Sequence, residues 1–158
     1  MTKTIARCVF ACAVSVWLIL SLATPWVLAD SNTFLKNFVN HEMLAFLGVV
    51  VTITLASATN LHFVLNGLEE REQRRGFWKA RAAIRRSATS LIVMLLMAIA
   101  LTVAKPLVVA ATPTSGVSAS LFNGAALLIV LFNVLVLIDL TQAAFQVGPN
   151  IENSRDGR

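Results

Sequence analysis

Charge is scarce in this sequence. Only 13% of its 158 residues are charged and 57% are hydrophobic, and the charges fall into a few blocks between long apolar runs. A water-soluble domain needs a wetted face on every helix or strand. Whole segments here lack one, which excludes an ordinary soluble fold and gives a membrane composition. Chemical motifs are also missing: there is no phosphate-binding Gly-rich loop, no Gly-x-Ser-x-Gly, no His-Glu-x-x-His and no carboxylate pair placed for acid–base work.

Potential metal ligands are few and badly spaced. Cys8 and Cys12 lie one helical turn apart in the first apolar run, with no His or carboxylate nearby, so they read as small buried apolar residues. His41 and His62 are separated by about 31 Å along one helix and cannot share a metal ion or a haem. The expectation is a non-enzymatic chain with no cofactor and no metal.

What is present is four runs long enough to cross a bilayer, which takes about 20 helical residues: Cys8 to Leu28, Met43 to Leu65, Ala88 to Ala111 and Leu121 to Leu140. They predict an all-α integral membrane protein, a four-helix transmembrane bundle forming one domain over residues 1–147. Thr112-Pro113-Thr114-Ser115-Gly116 reads as a tight hairpin between the third and fourth spans. Residues 30–42 read as a small outer loop and 148–158 as a disordered cytoplasmic tail.

Lys and Arg set the orientation. Lys3, Arg7, Arg71, Arg74, Arg75, Lys79, Arg81, Arg85, Arg86, Arg155 and Arg158 fall on one side, and Lys36 and Lys105 on the other. Both termini are therefore expected in the cytoplasm, in a multi-pass protein of a bacterial-type inner (plasma) membrane. The net charge of +5 does not favour nucleic acid, because the basic residues crowd beside the spans, where they meet lipid. The first span also resembles a signal peptide, with Val27-Leu28-Ala29 before Asp30 as a cleavage site. Its uncharged run from Cys8 to Leu28 exceeds the usual signal-peptide core, and the expectation is a retained anchor.

The second span flows without punctuation into Leu68 to Arg75, predicting a helix that projects into the cytoplasm, supported by Glu70–Arg74 and Glu72–Arg75 pairs. After Gly76, the segment from Phe77 to Arg86 alternates apolar and basic residues. It is either a plain positive-inside loop or a lipid- or partner-binding surface carrying Arg74, Arg75, Trp78, Lys79, Arg81, Arg85 and Arg86.

Polar residues within the spans supply the remaining candidates. Wrapping the second span at 100° per residue puts Gly48, Thr52, Ala56, Thr59, Asn60 and Asn66 in one sector, a small and polar stripe. It suits either packing inside the subunit or a pore-lining or subunit-contact face. His62 and Asp139 are expected at similar depth, as a pH-sensitive pair or as interfacial anchors. Lys105 is expected to snorkel to the outer interface with Glu42 as a partner, Pro106 to bend or end its helix, and Asn133 to hydrogen-bond to another helix.

The leading functional expectation is an oligomeric pore or membrane-perturbing module. The alternative is a non-conducting accessory, anchor or sensor subunit of a membrane complex, binding a partner or anionic lipid through the basic loop. The layout resembles small four-span bacterial proteins of phage exclusion and stress response, which pair a long second helix with a basic inner loop. That resemblance is one of architecture, with no shared motif, and implies channel activity of a defence type.

Overall fold

The computed structural model describes residues 3–72, 78–112 and 116–155, and side-chain surroundings for 4–67, 81–112 and 116–142. It is almost wholly helical: α1 (Lys3–Ala23), α2 (Pro25–Leu28), α3 (Thr33–Asn37), a π-helical turn (Phe38–Glu42), α4 (Met43–Glu72), α5 (Trp78–Ala111) and α6 (Val117–Arg155). Four stretches are long and apolar enough to cross a membrane: Thr4–Ala23, Thr33–Gly67, Arg81–Ala111 and Val117–Gln142. Leu22, Phe34, Phe63 and Leu107 are each at least 66% exposed. Water would not tolerate so much outward apolar surface, whereas acyl chains match it.

Lipid tails are as apolar as leucine, so membrane helices associate through close packing and hydrogen bonds instead of through expulsion of water. Seven-residue seams provide the packing here. On α4, buried Leu47, Val51, Thr54, Ala58 and Leu65, with partly buried Leu61, follow alternating steps of four and three. On α5 the buried positions are Ile84, Leu91, Ala98 and Lys105, and on α6 the seven-residue series Ala119, Ala126, Asn133 and Leu140 is buried. This spacing suits the shallow left-handed crossing of coiled coils. Helix α6 is the hub, packing against α1, α2, α4 and α5. Helix α1 lies at the periphery, and Cys8 and Cys12 are exposed on it, not buried as expected.

The first span is shorter than its apolar run. Residues that precede proline are driven out of the α region, and Thr24, at φ −138° and ψ 62°, breaks the helix before Pro25. Nor are residues 30–42 a plain loop. The Asn32 side chain accepts hydrogen bonds from the Phe34 and Leu35 amides and caps α3, and non-helical angles at Val39 and Asn40 form a kink leading into α4.

Pro106 does not end α5, which continues to Ala111. Likewise α6 runs through Gly148 and Pro149 to Arg155, where a disordered tail was expected. A proline costs a helix one backbone hydrogen bond, a loss that the bonds on either side can carry. The hairpin after α5 begins with the Thr112 amide donating to the Val108 carbonyl and ends at Gly116, whose φ of +55° suits glycine. Across it the Thr112 hydroxyl donates to Ser118 Oγ at 2.9 Å. Residues 113–115 lie outside the described set.

Candidate functional site

The two ends of the bundle hold different polar arrangements. At one end the chain gathers Asp30, Lys105 and Asn123. Lys105 occupies the fourth position of the α5 seam, so helix geometry turns it toward protein, and it is 8% exposed. Its Nζ donates to Asp30 Oδ1 at 2.7 Å. Asn123 is fully buried on α6, and its Nδ2 donates to the Leu28 carbonyl at 2.7 Å and to Asp30 Oδ1 at 3.0 Å. Burial pushes the Asp30 carboxyl up, but hydrogen bonds from Lys105 and Asn123 and the charges of Lys105 and Lys36 outweigh it, leaving the group below its usual value.

One turn nearer the start of α6, Ser120 Oγ donates to Ser21 Oγ at 3.1 Å. The Trp17 indole lies directly over Gly124, where an added Cβ would collide with the ring. Trp17, Ser21, Ser120 and Gly124 thus form one part of the α1–α6 contact. Lys105 pairs with Asp30, not with the expected Glu42. Sequence reading missed this cluster, although one signal was present: the seven-residue step from Ile84 through Leu91 and Ala98 reaches Lys105.

At the opposite end basic side chains line open cavities. The larger, about 560 Å³, lies between α4 and α5 and is lined by Leu55, Ala58, Thr59 and His62 of α4 and by Arg81, Ala82, Ile84, Arg85 and Ala88 of α5. A second, about 430 Å³, lies along α5 beside Ala82, Arg85, Arg86, Thr89, Ser90, Val93 and Met94. A third, about 350 Å³, lies between α1 and α6 beside Ala6, Arg7, Phe10, Ala11, Phe132, Leu135, Val136 and Asp139. There Phe10 and Phe132 meet edge to face with centroids 5.9 Å apart.

These placements sort the expected site residues. His62 shares its cavity with Arg81 and Arg85, and Asp139 shares another with Arg7, so the two do not line a common site. Helix α5 starts at Trp78, which makes the segment up to Arg86 the opening turns of a membrane helix rather than a separate surface strip. Arg74 and Arg75, with their expected Glu70 and Glu72 pairings, lie outside the described side chains, as do the side chains of Trp78 and Lys79. Asn133 donates to the Ile129 carbonyl of its own helix at 2.8 Å, not to another helix.

The stripe on α4 lies away from the seam. Thr52, Ala56, Thr59 and Asn60 are exposed, and Gly48 and Asn66 are half-buried. Thr52 and Thr59 donate to the carbonyls one turn back, Gly48 at 2.7 Å and Leu55 at 2.9 Å, which hides their hydroxyls from lipid. Asn60 has no hydrogen-bond partner among the described residues. No group of three or more His, Cys, Asp or Glu placed to hold a metal ion occurs among the described residues. No family model, curated protein or solved structure matches the chain.

Proposed function

We propose that this chain is an inner-membrane protein with both termini in the cytoplasm, whose copies assemble through the outward face of α4 into a small pore or membrane-perturbing module of a defence or stress-response type. The carrying observation is the position of the polar ladder: Gly48, Thr52, Ala56 and Asn60 lie on the side of α4 away from the Leu47–Leu65 seam, so packing within the subunit does not account for them. Small residues at i,i+4 let a second helix approach closely, and a carboxamide in hydrocarbon is costly unless it meets a partner. Asn60 from neighbouring copies, hydrogen-bonding around an axis, supplies that partner. In this reading eleven of the thirteen Lys and Arg residues lie on the cytoplasmic side, and α4 projects to Glu72 beyond the bilayer.

The test is disulfide trapping in native membranes, in a Cys8→Ser/Cys12→Ser background. Ala56→Cys should cross-link copies, while a cysteine at Leu96, exposed on α5, should not. Purified protein in liposomes should conduct ions, and Asn60→Leu should abolish the flux. A chain that is monomeric in nanodiscs, or equal trapping at both positions, defeats the assembly. Trapping at position 56 without flux at any pH leaves the non-conducting accessory subunit as the better description.

A further inference from the structure

We propose that the cavity between α4 and α5 is a binding site for an anionic phospholipid, with the headgroup phosphate at Arg85 and His62 and the start of the acyl chains along Leu55 and Ala88. The α4 and α5 walls fall inside candidate membrane spans, and Thr59, His62, Ala82 and Arg85 on its rim are exposed, so the cavity opens on the bilayer-facing surface of the bundle. Because the two helices are antiparallel, His62 and Arg81 stand at its basic end and Leu55 and Ala88 at its deep end. Each wall spans eight residues, or about 10 Å from end to end. That polar-to-apolar gradient, over the depth of a headgroup and glycerol, matches one lipid molecule. A soluble phosphate would have no use for the apolar half.

Charge points the same way. Arg85 borders both this cavity and its neighbour on α5, and Arg86 adds a second guanidinium to the neighbour. The second cavity repeats the gradient, from Arg85 and Arg86 through Thr89 and Ser90 to Val93 and Met94. Arginine presents a planar fork of donors suited to phosphate oxygens, and basic recesses between membrane helices are suited to anionic headgroups. A volume of about 560 Å³ holds a headgroup with the first part of its chains and leaves the tails in the bilayer.

The experiment uses the full chain in phosphatidylcholine nanodiscs containing a minor fraction of phosphatidylglycerol, with retained lipid counted by native mass spectrometry after extraction. The wild type should retain phosphatidylglycerol in preference to phosphatidylcholine. Arg85→Gln should lower that retention about fivefold, the effect of removing one basic contact near the membrane surface. Ala88→Leu, which narrows the apolar half without touching charge, should lower it as well. Arg7→Gln, at the same end of the bundle but in another cavity, should leave it unchanged. Arg85 is exposed, so its replacement does not threaten folding. Equal retention of the two lipids, an equal loss from Arg7→Gln, or displacement of the lipid by millimolar inorganic phosphate would each overturn the proposal.

Discussion

The two ends of this bundle treat charge in opposite ways. At the Asp30 end one carboxylate meets one ammonium at 2.7 Å, and a buried carboxamide donates both to that carboxylate and to the Leu28 carbonyl. At the basic end Arg85 and Arg86 stand on open cavities along α5. Polar groups in or near hydrocarbon need bonding partners, and at the Asp30 end most find them inside the subunit, the buried Asn123 Oδ1 being an exception among the described residues. The first end therefore holds the fold together, and the second is where a partner or a lipid has room to act.

The largest effect that would sharpen this contrast comes from opening the closed end. Asp30→Ala leaves the Lys105 ammonium buried without its counter-charge and should cost about 2–3 kcal/mol, below the full penalty for a deeply buried pair because Asp30 is about one-third exposed. Thermal unfolding in mild detergent measures it. Adding Lys105→Met should return much of the loss, and a double variant no better than the single would mean that the pair does not act as a unit.

Next comes the α1–α6 contact. Gly124→Ala should cost about 1–3 kcal/mol, because its methyl group enters space held by the Trp17 ring, and it should raise the solvent quenching of Trp17 as α1 loosens. Trp17→Phe, which keeps a smaller ring there, should relieve part of this cost.

Acid should give the smallest effect. The Asp30 carboxyl lies below its usual value in the folded chain, so its stabilising contribution is complete above the unfolded-state value and disappears as pH falls through the folded one. The unfolding temperature should drop below about pH 4, and Asp30→Asn should flatten that part of the curve. If the wild type is equally flat there, the ion pair is not what closes this end.

Much of the fold was legible in the sequence because bilayer thickness imposes a length that periodicity does not. Four runs of membrane-crossing length were expected, and four helical stretches long and apolar enough to cross a membrane are present. Pro25 carried the break in the first span, but its apolar flanks concealed it. The Asp30–Lys105 pair was harder to see. It joins residues 75 apart, and charge alone does not choose between Asp30 and Glu42 as the partner. The seven-residue register of α5 gives the face of Lys105, not its ligand. The stripe on α4 was visible as a stripe, whereas its direction depends on the competing Leu47–Leu65 seam, which fills the interface with larger apolar side chains.

The bonds at Leu28 and Asp30 also act in time. They flank the Ala29–Asp30 peptide bond that a signal peptidase would cut, with Ala29 itself buried. Asn123, which holds both flanks, is synthesised 93 residues after Asp30. At about 5–20 residues per second that is a delay of roughly 5–20 seconds. During that interval neither Leu28 nor Asp30 has its Asn123 partner. Once α6 docks, the same stretch becomes a latch, so the end of the first span is fastened only after the last helix has been made.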